Sequence, residues 1–176
     1  MMRKTRWTMA SLLGAALLVI SCGRDAGPTG PAPSADLLSP LTQTLSNVTG
    51  TLLKCRKLPA YANAAVIGKN GGTLQVGPHT LVVPKGALSG DVLISGFAPS
   101  DNNRVVQFQP EGLQFAQPAA LTMSYSGCGL VVGLLPRVAY VDDNLNIVTY
   151  LLSQNNLFAQ TVTGRVPHFS GYATAW

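Results

Sequence analysis

Acidic side chains are scarce in this 176-residue chain, and that scarcity removes several kinds of chemistry at once. Seven Asp and Glu stand against twelve Lys and Arg, and Glu111 is the one glutamate. Glycoside hydrolysis by paired carboxylates needs two acids facing each other across a cleft. Here Glu111 sits in the turn-forming run Pro110-Glu111-Gly112. Histidine is scarcer still. His79 and His168 lie far apart, no cysteine has a C-x-x-C partner, and together these residues do not complete a zinc set. Gly71-Gly72 and Gly127-Cys128-Gly129 lack the following Lys-Ser/Thr and helix of a phosphate loop. Asp142-Asp143-Asn144-Leu145-Asn146 has oxygen ligands but neither the glycine nor the distal Glu of an EF-hand loop. It lies between two strand patterns and reads as a hairpin turn, as does the run 100–103. No cofactor and no metal are expected.

The formal charge of +5 points toward nucleic acid until its distribution is examined. Arg3, Lys4 and Arg6 belong to a basic N-terminal start. Without them nine cations face seven acids, a net of +2. Lys54, Arg56 and Lys57 cluster and the others stand alone. No basic stripe with interleaved aromatics exists, so the electrostatic footprint of a nucleic-acid binder is missing.

The basic start leads into Ala10-Ser-Leu-Leu-Gly-Ala-Ala-Leu-Leu-Val-Ile-Ser21, an apolar run of twelve residues. A mature membrane-spanning helix needs about 20 such residues, but the run fits a secretory signal. It closes on Val19-Ile20-Ser21-Cys22, which is similar to a bacterial lipobox, and no A-x-A cleavage pattern competes with it. The expectation is a signal peptide over 1–21 and a lipid (palmitate among its acyl chains) on Cys22 after processing. The protein is then expected to be membrane-anchored in a bacterial cell envelope. Gly23 is not the Asp that marks inner-membrane retention in some bacteria, which favours the outer membrane. Cys55 and Cys128 then remain, an even number in an oxidising compartment. One disulfide is the natural pairing; two separate buried thiols are the alternative.

Residues 22–40 are dominated by Gly, Pro, Ser and Ala and read as a flexible tether. Residues 41–63 read as a docking arm, a short helix or an irregular segment. Leu38, Leu41 and Leu45 fit one helical face, and Thr, Ser and Gly50 weaken it. From 64 to 176 the pattern is β throughout. Short runs rich in Val, Ile, Thr and aromatics alternate with dense turn signals such as Asn70-Gly71-Gly72, Gly77-Pro78 and Asn155-Asn156. Leu121, Met123 and Tyr125 alternate with Thr122, Ser124 and Ser126, as on a strand with one buried face. Pro84-Lys85-Gly86 and Pro110-Glu111-Gly112 repeat one turn plan, with Pro second and Gly fourth as in type I turns. With no long helical pattern in this half, the fold class is all-β, an antiparallel two-sheet β-sandwich.

Residues 71–88, Gly-Gly-Thr-Leu-Gln-Val-Gly-Pro-His-Thr-Leu-Val-Val-Pro-Lys-Gly-Ala-Leu, resemble the ZU-five domain. This is the β-sandwich module of zonula occludens proteins, Unc-five netrin receptors and ankyrins. The shared plan is a Gly-Gly opening, a strand, a turn, a second apolar strand and Pro-x-Gly-Ala-Leu. Residues 110–128 continue it, and the resemblance covers 64–176. It implies a protein-interaction or structural module with a protein partner. No death domain, kinase-like domain or ankyrin array accompanies it, so the animal partners do not carry over.

The resemblance also gives His168-Phe169-Ser170 two readings. Some ZU-five domains cut themselves within a His-Phe-Ser sequence. By that likeness Ser170 would attack the Phe169 carbonyl, with His168 polarising the group or taking the proton. Against this, Phe169, Gly171, Ala173 and Ala175 alternate with His168, Ser170, Tyr172 and Thr174, as in a terminal strand that closes a sandwich. The expectation is therefore a binding module and not an enzyme, with self-cleavage as the alternative. A third reading is a glycan-binding surface built on Tyr172 and Trp176.

Overall fold

The structure is a computed structural model and describes residues 50–176. The expected signal peptide (1–21), Cys22, the tether (22–40) and the first part of the arm (41–49) lie outside the described residues. What is described is an all-β sandwich of eleven strands: β1 (Tyr61–Ile67), β2 (Gly72–Val76), β3 (His79–Val83), β4 (Val92–Ala98), β5 (Val105–Gln109), β6 (Gln114–Ser124), β7 (Arg137–Val141), β8 (Ile147–Tyr150), β9 (Ser153–Asn156), β10 (Thr161–His168) and β11 (Gly171–Ala175). One sheet runs β1-β4-β5-β11-β7-β8, the other β2-β3-β6-β10-β9, and the strand pairs are antiparallel.

The core follows from period-two alternation. Leu121, Met123 and Tyr125 are buried, as their spacing predicts, in one cluster with Leu74, Val76 and Leu81 of their own sheet and Ile94, Phe108 and Tyr172 of the opposite one. Two glycines set how closely the sheets approach. A methyl at Gly164 on β10 would lie 2.7 Å from Val138 Cβ on β7. One at Gly96 on β4 would lie 2.5 Å from Val76 Cγ2 on β2. Both positions face the opposite sheet, so the absent side chain is filled by a valine.

The described part of the arm contains no helix. Leu52 bridges to Ala175, Leu53 is fully buried, and β1 begins at Tyr61, three residues before the expected boundary. The described residues before β1 are thus irregular and pack on the sandwich through Leu53, and β1 takes the last three residues of the arm. The two proline turns do repeat, but one residue out of the expected register. Ala87 N donates to Pro84 O (3.1 Å) and Leu113 N to Pro110 O (3.3 Å). Glycine is therefore third in each turn, at φ +80 for Gly86 and +74 for Gly112, the conformation a type II turn demands. At 142–146 the hairpin reading holds. Asp142 accepts from the backbone N of Asn144 and Asn146 and from the Asn146 side chain, which holds its carboxyl below the usual range.

Cys55 and Cys128 form a disulfide across a sequence separation of 73. Arg56 N donates to Gly127 O (2.8 Å) and Gly129 N to Lys54 O (2.9 Å). The cysteines therefore occupy a non-hydrogen-bonded antiparallel pair, where Cα atoms come closest, here 3.7 Å. By the loop-entropy model a closure of that length contributes on the order of 4 kcal/mol.

Replacing Gly164 by Ala should push the sheets apart and cost about 1–3 kcal/mol in chemical denaturation. The paired Val138→Ala change should recover part of that loss, so the double variant will be more stable than the sum of the singles. Simple additivity would mean that the two positions do not set the sheet spacing.

Candidate functional site

The His-Phe-Ser tripeptide is not inside a strand. β10 ends at His168, after a register shift between Val166 and His168, and β11 begins at Gly171 in the other sheet. Phe169 and Ser170 form the crossover between sheets. This corrects the expected face pattern. The shift and the crossover break the alternation, so Phe169 and Tyr172 both enter the main core. Ala173 and Ala175 face the opposite side of the six-stranded sheet, in a second cluster with Val105, Ala139 and Val141. β11 lies between β5 and β7 and has both faces covered, which is why it shows no polar face.

Phe169 is the anchor of the crossover. Its ring stacks on Phe108 (centroids 5.2 Å apart) and meets Phe115 edge-on (4.9 Å). Backbone bonds fix it further: Phe169 N donates to Leu113 O (2.9 Å) and Phe108 N to Ser170 O (3.2 Å). The Phe169 carbonyl is approached by two nitrogens. Gly112 N donates to it at 3.0 Å, delivered by the second proline turn, and His168 Nδ1 lies 3.4 Å away. The Gly112 N–H polarises that carbonyl toward attack, and His168 adds to it in the tautomer that carries its proton on Nδ1. His168 itself packs edge-on against Tyr140 (5.4 Å), and no hydrogen bond joins its imidazole to the Ser170 hydroxyl. Ser170 is nine-tenths buried and lines a cleft of about 90 Å³ shared with Glu111, Asp142 and Asp143. The Tyr172 hydroxyl donates to the His168 carbonyl, and burial raises its pKa, as does Tyr140.

Tyr172 and Trp176, the residues considered for a glycan platform, are buried. The exposed phenylalanines, Phe97 and Phe158, lie on β4 and in the β9–β10 turn, and do not form a common surface. Among the described residues no three His, Cys, Asp or Glu come together as metal ligands.

Sequence reasoning missed two features. One is β1, a sheet-terminal strand whose one ladder partner among the described residues is β4. Tyr61-Ala-Asn-Ala-Ala-Val-Ile carries no charge. Its outer face aligns Ala62 with Phe97, Ala64 with Ser95 and Val66 with Leu93, over a shallow groove of about 450 Å³ that Gln107 and Gln109 complete. Val66, Leu93 and Phe97 are exposed. The other is a buried pair at the disulfide end. Arg104 is 3 % exposed and donates through Nη1 to Arg56 O and through Nη2 to Ser126 O, both at 2.9 Å, while its Nε has no partner. It thereby clamps the two segments that the disulfide joins. His79 is also buried, and its Nδ1 accepts from Ser124 N at 3.3 Å. Burial, and then the Arg104 charge, lower the His79 pKa from 6.5 to about 4. A search of protein families and of curated proteins finds no match to the chain.

The His79 geometry has a pH consequence. Below pH 6.5 the unfolded chain protonates this histidine, whereas the folded protein does so only below about 4. Stability is therefore drained as pH falls through that window, by about 3 kcal/mol in all. Denaturation of His79→Gln, whose amide oxygen can still accept from Ser124, should lack this part of the slope between pH 7 and 4.5. A variant with the parent slope would show that His79 titrates normally.

Proposed function

We propose that the chain is a lipid-anchored envelope protein whose β-sandwich binds another protein along the free edge of β1. The carrying observation is that edge. A sheet-terminal strand presents unpaired backbone donors and acceptors to any extended segment that aligns with it. Edges meant to stay single are usually guarded by Lys, Pro or a bulge. β1 has none of these over seven residues and pairs with β4 without a register shift. The adjoining face supplies apolar contacts from Val66, Leu93 and Phe97, so backbone bonds would give affinity and the groove would give side-chain selectivity. The Asn63 side chain donates to Gln75 O on β2 and accepts from Ala64 N (both 2.9 Å), which steadies the strand against its own second sheet, and an incoming segment would replace the Ala64 contact. The resemblance of residues 71–88 to ZU-five domains supports the same class of role. The lipobox-like run ending at Cys22 supports the envelope location.

A photo-crosslinker at Val66 in the native envelope should give a discrete adduct. Ala64→Lys should abolish that adduct while changing stability by no more than about 0.5 kcal/mol, because Ala64 is exposed. An adduct that survives the lysine removes β1 from consideration.

A second reading, self-cleavage between Phe169 and Ser170, is favoured by the two nitrogens on the Phe169 carbonyl. In it the Ser170 oxygen adds to that carbonyl, the amide nitrogen takes a proton and leaves, and water opens the resulting ester. Intact-mass measurement of aged protein should give two fragments for the parent and one chain for Ser170→Ala. A single mass for both disposes of this reading.

A further inference from the structure

Among the described residues, exposed apolar side chains are most concentrated at the disulfide end of the sandwich, which neither the β1 edge nor the crossover uses. Strand register places them together. Asn156 on β9 lies opposite Thr161 on β10, which lies opposite Ser124 on β6. The β9–β10 turn and the long β6–β7 loop therefore leave the sandwich at one end. The Asn155 side chain ties them, donating to Pro136 O at 2.7 Å. Phe158 in the turn is fully exposed, as is Val132 in the loop (97 %), and Leu130, Leu135 and Leu157 are each about half exposed or more. Neither the stretch 128–136 nor 151–164 contains a charged residue. Apolar tips of this kind are not explained by folding, since Val131 and Leu134 from the same loop already turn inward onto the core.

Charge is polarised along the same axis. Lys54, Arg56 and Lys57 flank the disulfide, and Arg137 opens β7 at this end, its guanidinium 4.2 Å over the Tyr150 ring. Arg56 and Arg104 line a cleft of about 350 Å³ with Tyr61, Ser124 and Ser126. Arg104 is buried there with backbone carbonyls as its partners and no carboxylate. Asp101 is the acid at this end. Asp91, Glu111, Asp142 and Asp143 sit at the far end, where β4 and β6 begin and β7 stops, with Lys69 and Lys85 as the cations there, so that end carries more acids than cations. The first described residue, Gly50, also enters at the disulfide end, its N donating to Trp176 O.

We propose that this end seats on a lipid bilayer. Phe158, Val132 and their neighbours enter the interfacial region, and the cations around Cys55–Cys128 meet anionic headgroups. Apolar tips flanked by cations are the combination that binds a negatively charged membrane surface. Burial of the tips and attraction of the basic residues add, and either alone is weak. The acids at the far end would be held away from the same surface. This seating needs neither lipid at Cys22 nor a partner on β1. It fixes the orientation in which the β1 groove would be offered.

The test uses the full chain reconstituted into vesicles of phosphatidylethanolamine and phosphatidylglycerol, with Phe158→Trp as the reporter. Because Phe158 is fully exposed, the change leaves the core intact. Emission added over the parent chain should shift to the blue and be quenched by brominated acyl chains. Leu93→Trp, toward the far end, should do neither. Arg56→Glu with Lys57→Glu should lower the quenching, as should exchange of phosphatidylglycerol for phosphatidylcholine. Protein that floats with vesicles but leaves the Phe158→Trp indole unquenched overturns the proposal while leaving the anchor reading standing. Protein that does not float overturns both. If the reporter is instead blue-shifted without vesicles, and sedimentation shows self-association, the end is an interface between copies and the membrane proposal fails.

Discussion

The six-stranded sheet exists because β11 is hydrogen-bonded on both sides. β1, β4 and β5 make one ribbon, β7 and β8 make another, and β11 alone joins them through its pairs with Val105–Gln107 and with Arg137–Val141. That position forces the rest. Its edges are paired and both its faces are covered, the outer one by Leu52, Leu145, Ile147 and Tyr150, so Tyr172 fills the main core while Ala173 and Ala175 accept the outer cluster. The crossover that delivers β11 must be held, and Phe169 holds it between Phe108 and Phe115.

The same demand explains why the His-Phe-Ser crossover resembles a reactive site in part. The Phe169 carbonyl leaves β10 and enters no strand, so its hydrogen-bonding capacity must be met by something else. Gly112 N and His168 Nδ1 approach it there. An arrangement that satisfies a crossover carbonyl is also one that polarises it, which is how a structural need and a chemical opportunity come to share three residues. Fragments produced there would stay together, since Gly171–Ala175 remains paired on both edges with Tyr172 buried.

Much of the sandwich was legible because its strands obey simple alternation. Leu121, Met123 and Tyr125 announced β6, and the disulfide followed from counting thiols. β9 was invisible, since Ser153-Gln-Asn-Asn156 has no strand-like letters; it is a strand because β10 offers it a ladder. β1 was hidden by its run of small residues, which gives no periodic signal, and its importance lies in a free edge that only topology reveals. The proline turns were read one residue out of register, because the letters Pro-x-Gly fit a fourth or a third glycine equally and only a positive φ decides. The meeting of Gly112 with Phe169, and of Arg104 with residues 56 and 126, joins segments distant in the chain, and no local pattern encodes it.

The bridge between Cys55 and Cys128 encloses β1 to β6 in a covalent ring and leaves β7 to β11 outside it. The ring holds three strands of one sheet and three of the other, so it is half of the sandwich closed on itself. The tail is sewn onto it, with β10 laid beside β6 and β11 stitched to β5. The sulfur bond thus divides the fold into a closed first half and an open second half, which meet along β6–β10 and β5–β11, and the crossover at Phe169 links those two seams.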